Sequence, residues 1–229
     1  MKPLLTLDNV GMRYPLSSSP DGWYRVFEAV NFELYPGERV GIVGRNGVGK
    51  STLLRLMARI FAPTSGSVAW ASGTSVSLLS LGLGFRSDLT GRENALLSCL
   101  LQGHSKNDAR DLLPDIEAFC ELGQFFDQPV KTYSSGMRAR LGFGTALLNR
   151  SSVILIDEIL GVGDTAFRTK ARGALQQQLS AERSVVIVSH ADFQIKSLCQ
   201  RAVWFDAGGV REAGDAESVL DAYNSAEAS

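Results

Sequence analysis

Hydrophobic and polar positions alternate in short runs over the first third of the chain. PLLTLDNV (3–10) and RVFEAVNFELY (25–35) read as strands, with the SSSPDG cluster (17–22) as a surface turn between them. RVGIVG (39–44) is a β-branched run of the kind found in a buried strand, and KSTLLRLMARIF (50–61) carries apolar residues at helical spacing. TSGSVAWASGTSVSLLS (64–80) reads as a turn and further strands.

The pattern then changes period. Thr90-x-x-Glu93 precedes NALLSCLL and Ser105-x-x-Asp108 precedes ARDLLPDIEAFCEL, so both predict capping boxes at helix starts. Pro114 should kink or restart the second helix. Residues 90–150 are thus predicted helical. Beyond them strand and helix alternate: SVILID, AFRTKARGALQQQL, SVVIVS, ADFQIKSLC and AVWFD, then a short helix in DAESVLDAYNSAE. Such alternation predicts a parallel sheet covered on both faces, with 90–150 inserted as a helical subdomain.

Composition changes this picture little. The 229 residues are 45% hydrophobic and 21% charged, ordinary for a globular protein. The formal net charge of −1 argues against a nucleic-acid partner held by bulk positive charge. Cys99, Cys120 and Cys199 are dispersed and odd in number, which predicts reduced thiols. MKPLLTLDNV reaches Asp8 too early for a secretory signal, and no apolar run approaches the length of a membrane span.

Chemistry enters at GRNGVGKST (44–52), which fits G-x-x-x-x-G-K-[ST] between a buried strand and an amphipathic helix. Glycines let backbone N–H groups converge on phosphate oxygens, and the helix adds its positive end. Gly44, Asn46, Gly47, Gly49, Lys50, Ser51 and Thr52 are the expected phosphate-binding residues. Lys50 would reach the β- and γ-phosphates and Ser51 would ligate Mg2+. SVILIDEIL ends a strand in two acids: Asp157 as a second Mg2+ ligand, and Glu158 to polarise the attacking water. Alone, such a pair is better explained as solvated charge capping a strand. SVVIVSH ends the next strand in His190, placed to contact a γ-phosphate and a water; an ordinary strand-edge histidine is the alternative. His104 has no assigned role.

Together GRNGVGKST, YSSGM, ILIDE, Gly163-Asp164 and Ser189-His190 resemble the ATP-binding subunit of an ABC transporter, in order and spacing over nearly the whole chain. The resemblance implies a P-loop NTPase cassette. Its parts are a RecA-like parallel-sheet core, an N-terminal antiparallel β-subdomain and an inserted α-helical subdomain. It implies that residues 1–229 make a single ATP-binding domain, with about 1–89 and 151–229 in the core and β-subdomain and about 90–150 in the helical part. Tyr133-Ser134-Ser135-Gly136-Met137 occupies the place of the family's signature motif, with Ser135 and Met137 departing from the usual residues. Ser134, Ser135 and Gly136 would then face ATP held by a second copy of the chain, so a homodimer is implied; an ordinary serine N-cap is the alternative. Tyr14 resembles the aromatic that stacks on adenine, or else is a strand-end core residue. Asp164 resembles the acid of a loop crossing the dimer interface. The glutamine expected near Leu81 is missing.

YSSGMRARLGFG, LGLGF and LTGREN narrow the resemblance to exporters of surface polysaccharide: capsule, O-antigen and teichoic acid types, with capsule closest around ELGQFFDQPVKTYSSGMRARLGFG. This implies an ATPase on the cytoplasmic face of the inner membrane. Its partner would be an integral membrane permease, in two copies, which itself handles the lipid-linked polysaccharide. Leu81, Gly82 and Phe85 would face that permease. The chain ends at Ser229 after a short helix, so no C-terminal carbohydrate-binding domain is expected. A soluble ABC ATPase or a nucleotide-binding module without turnover are the competing classes. Arg138 and Arg140 could line the interface or form a solvated helix face.

Overall fold

The computed structural model describes residues 1–79, 85–147, 151–157, 165–180, 183–189, 191–206 and 208–227. The chain divides into two compact units, the first formed by Met1–Thr74, Leu155–Asp157 and Glu182–Ser229, the second by Ser75–Ile154 and Glu158–Ala181.

In the first unit, β1 (Leu5–Pro15), β2 (Trp23–Leu34) and β4 (Ser65–Trp70) make an antiparallel sheet of order β2-β1-β4. Along β2, Val30, Phe32 and Leu34 are buried while Asn31 and Glu33 are exposed, the period of two that a half-covered strand requires. The hairpin runs further than the sequence pattern suggests, with Tyr14 opposite Tyr24 and Pro15 opposite Trp23. Local polar bonds close its tip. The Asp21 carboxylate accepts from Ser19 Oγ at 2.6 Å and from the Trp23 amide at 3.2 Å, and pairs with Arg25 at 3.1 Å. Arg13 lies 4.3 Å over the Trp23 ring.

The same unit holds β3 (Arg39–Val43) between β7 (Ser184–Val188) and β8 (Arg201–Asp206), both parallel to it. These buried strands are almost wholly apolar, as in sheets covered on both faces. An edge strand that the periodicity does not reveal, β9 (Gly209–Asp215), returns antiparallel to β8. Its sequence, GVREAGD, is mostly exposed and so has no hydrophobic alternation to read. The helix α1 spans Lys50–Met57 and stops before the ARIF predicted to continue it. Arg59 takes a left-handed φ of 61°, and the Ile60 amide folds back to the Arg55 carbonyl at 2.9 Å. α6 (Asp192–Leu198) and α7 (Ala216–Glu227) complete the unit, the latter capped by Asp215.

The second unit contains β5 (Val76–Leu79), α2 (Gly91–Leu101), α3 (Lys106–Cys120), α4 (Ser135–Leu147) and α5 (Thr165–Ser180). Its core joins Ala95, Cys99, Ile116, Cys120, Phe126 and Leu141. Thr90 forms a complete capping box with Glu93. Ser105 caps the Asp108 amide, but its hydroxyl also donates to the Asp108 carboxylate, so that box is not reciprocal. α3 does not restart at Pro114; it is continuous from Lys106 to Cys120. Pro114 and Arg110 are both exposed, so water can serve the Arg110 carbonyl that proline leaves without a donor. The three cysteines are free and buried, and burial pushes their thiols up to about 11 for Cys99 and about 12 for Cys120 and Cys199. Among the described residues no helix is long and apolar enough to cross a membrane.

Candidate functional site

Strand β3 delivers the chain into the loop 44–49, and the loop delivers it into α1. Two of its glycines are demanded by conformation and space together. Gly44 has φ +151° and a Cβ there would meet the Phe205 carbonyl; Gly49 has φ +103° and its Cβ would strike Val26 and Phe27. Gly49 is also the N-cap of α1, its carbonyl accepting from the Leu53 amide at 2.9 Å, so the first α1 amides open toward the loop. Asn46 and Gly47 are exposed on the outer curve, and Thr52 is half-buried on the helix.

Lys50 is only 6% exposed. Its ammonium donates to the carbonyls of Gly44 at 2.5 Å and Arg45 at 2.7 Å, which satisfies a buried charge and fixes the loop's curvature. Ser51, the next residue, donates from Oγ to Asp157 Oδ1 at 3.0 Å. The end of the strand β6 (Val153–Asp157) is thereby joined to the start of α1 across 106 residues of sequence. A cation, a hydroxyl, a carboxylate and a helix N-terminus meet at one spot. That set suits a phosphate with a hard cation, since Mg2+ prefers oxygen donors and takes few of them from protein. Among the described residues no group of three or more His, Cys, Asp or Glu forms a closed metal cage. Tyr14 is half-buried at the end of β1, edge-on to Phe61 at 6.4 Å.

In the second unit, Ser134 stands before α4 and its Oγ accepts from the Met137 amide at 3.1 Å, a helix N-cap. A Cβ on Gly136 would meet nothing nearer than Ser134 Oγ at 3.8 Å. Among the described residues no packing contact requires glycine there. Beside them a shallow cavity of about 260 Å3 is lined by Leu122, Phe125, Ser134, Gly136, Met137 and Arg140, among others. Arg140 pairs with Glu121 at 3.7 Å and lies 4.9 Å over the Phe167 ring. Arg138 is exposed. Phe85 packs, partly buried, against the helical core. Glu158, Asp164, His190, Leu81 and Gly82 lie outside the described residues.

LTGREN has a structural content that sequence spacing does not show. Asn94 is buried, with Oδ1 accepting from the Arg86 amide at 2.8 Å and Nδ2 facing the carbonyls of Arg86, Leu89 and Thr90. Arg92 forks onto Asp127 at 2.6 and 3.2 Å, reaches Glu117 at 2.8 Å, and covers Phe126. Arg92 holds the Asp127 carboxyl below its usual range, first through its hydrogen bond and then through its charge. The helical capping signal was visible in sequence; the partners, 25 to 35 residues away, were not.

The parallel sheet, the glycine loop and the Lys50–Ser51–Asp157 cluster define a P-loop nucleotide-binding cassette. Residues 27–161 match the family model described as ABC transporter. The O-antigen export system ATP-binding protein RfbB of Klebsiella pneumoniae is 36% identical over 245 residues, covering 99% of each chain. The teichoic acids export ATP-binding protein TagH of Shouchella clausii is 36% identical over 212 residues, covering 93% of this chain; the chain spans 58% of that relative's length. A dimeric post-hydrolysis ATP-binding cassette bound to ADP and Pi superposes with a TM-score of 0.77 at 22% identity, over 93% of this chain and 98% of that one. The chain belongs to the ABC transporter family, and the fold class expected from the sequence is borne out.

Proposed function

We propose that the chain is the ATP-hydrolysing subunit of an exporter of lipid-linked surface polysaccharide, working with a separate membrane permease. The observation that carries this reading is the convergence of Lys50, Ser51 and Asp157 at the mouth of a glycine loop. Family membership and relatives named for O-antigen and teichoic acid export support it. Capsular polysaccharide is the polymer favoured by the stretch from Glu121 to Gly144.

In this reading Gly44, Asn46, Gly47, Gly49, Lys50 and Thr52 hold the ATP phosphates, and Tyr14 stacks on adenine. Ser51 and Asp157 would hold Mg2+, which would supply positive charge against the phosphates. With nucleotide bound, the Lys50 ammonium would exchange loop carbonyls for phosphate oxygens. Glu158 orients the attacking water and His190 contacts water and γ-phosphate. Ser134, Ser135 and Gly136 complete the site of a second copy, and Asp164 lies in the loop between copies. The open approach to Gly136 supports this, because among the described residues a Cβ there would meet only Ser134 Oγ, at 3.8 Å. Closure of the dimer drives two permease copies from the cytoplasmic face of the membrane, with Leu81, Gly82 and Phe85 on the permease side.

The test is MgATP hydrolysis by the purified chain and by its complex with a co-expressed multi-span permease. Lys50→Ala should abolish nucleotide binding while leaving the circular dichroism spectrum unchanged. Undiminished turnover in that variant, or no hydrolysis by the parent chain with its permease, would refute the reading.

A further inference from the structure

Ser134 must be held in place by something other than its own contacts, for it is exposed and its hydroxyl is committed to the Met137 amide. The residue before it supplies the anchor. Tyr133 is 4% exposed, and its hydroxyl donates to the Phe125 carbonyl at 2.6 Å. Gly91, the first residue of α2, lies directly against that hydroxyl, and a Cβ there would strike it. Glycine is a poor helix former, so its use at this position has a packing reason: it admits the phenol oxygen. A phenylalanine would fill the core as well as tyrosine does without requiring that glycine.

The backbone around this contact is doubly tied. The amides of Lys131, Val130 and Gly91 donate to the carbonyls of Ser87, Leu89 and Gln128 at 2.9, 2.9 and 3.2 Å, and Thr90 bridges Pro129. The segments 87–91 and 128–133 therefore move as one ribbon, and Ser134 is the next residue along it. Phe125, whose carbonyl takes the phenol, also lines the cavity beside Ser134 and Gly136.

We propose that Tyr133 is a positioning residue: its hydroxyl, seated on Gly91 and bound to the Phe125 carbonyl, sets the Ser134 N-cap in register with a phosphate carried by a second copy of the chain. The inference rests on the dimeric reading given above. Removing the hydroxyl loosens the path from 128 to 133 without touching the chain's own glycine loop. Nucleotide binding by a single copy is therefore preserved while nucleotide-driven pairing is weakened.

The experiment uses the full chain carrying Glu158→Gln, which should pair without turning over. Pairing is followed by sedimentation over a range of MgATP concentrations, and single-copy binding by a fluorescent ATP analogue at low protein concentration. Tyr133→Phe should weaken pairing about tenfold, roughly the worth of one well-placed hydrogen bond, with analogue binding changed less than about twofold. Gly91→Ala, which displaces the hydroxyl instead of deleting it, should act in the same direction. Ser105→Ala removes the α3 cap in the same unit and reports on general loosening; it should lower the melting temperature and leave pairing within about twofold. Pairing of Tyr133→Phe within about twofold of the parent overturns the inference, as does an equal loss in Ser105→Ala. If the Glu158→Gln parent itself fails to pair with MgATP, the dimeric reading falls first and takes this inference with it.

Discussion

Asn94→Ala is the sharpest test of how the second unit is held. The side chain is 1% exposed. Its oxygen satisfies the Arg86 amide at 2.8 Å, and its two amide hydrogens are shared among three carbonyls at 3.0, 3.2 and 2.9 Å. Each net hydrogen bond contributes about 1 kcal/mol, and each buried partner left without one costs about 1–3 kcal/mol. Alanine keeps the helix but strands the Arg86 amide and loosens the turn into α2, so a loss of about 2–4 kcal/mol is expected. For a chain of this size that is a melting-point drop of roughly 4–16 °C at about 2–4 °C per kcal/mol. Asn94→Asp should be no better than alanine, because a carboxylate oxygen would replace the donor facing three carbonyls. Urea unfolding of parent and both variants measures the differences directly. A loss below about 1 kcal/mol for alanine would show that water or a shifted side chain replaces these bonds, and the account of LTGREN as a structural knot would be wrong.

Glu158→Gln should retain MgATP binding and accumulate a paired state; wild-type turnover in that variant sinks the assignment of Glu158. The thiols of Cys99, Cys120 and Cys199, pushed up to about 11, 12 and 12, should resist a disulfide reagent at neutral pH and react only with denaturant present. Asp127 is held below the ordinary aspartate value of 3.8, chiefly by its hydrogen bond from Arg92. A depressed carboxylate contributes stability above its unfolded value and loses it as pH falls through the folded one. The urea midpoint of the parent should therefore drop more steeply below about pH 4 than that of Asp127→Asn, and parallel curves would count against the Arg92–Asp127 pairing.

Much of the cassette was legible because its signals are local. The loop 44–52 needs glycine at strained backbone positions, a lysine and a hydroxyl in fixed order, so the residues announce the chemistry. The Thr90 box is equally local, since a cap involves residues three apart. The β-branched runs of β3 and β7 declare buried strands for the same reason. Where the pattern misled, a feature that leaves no mark on hydrophobic periodicity decided. α1 ended early because Arg59 adopts a left-handed turn, and α3 ran through Pro114 because that face meets solvent. β9 is an edge strand whose exposed residues carry no alternation.

The sequence by itself determined the nucleotide loop, the order of motifs and the place of YSSGM in that order. Tertiary structure alone decided what those motifs touch. Asp157 reaches Ser51 across 106 residues, a meeting set by which strands lie side by side and not by spacing. Arg140, ambiguous along the chain, is committed to Glu121 and Phe167 because α4 packs against both. Tyr133 and Gly91 are 42 residues apart, and only the folded helical unit shows that the glycine leaves room for the tyrosine hydroxyl. The physical reason is common to all three. Local propensity acts through neighbouring dihedral angles, whereas a contact between distant residues exists only after loop closure and core packing have selected one arrangement among many.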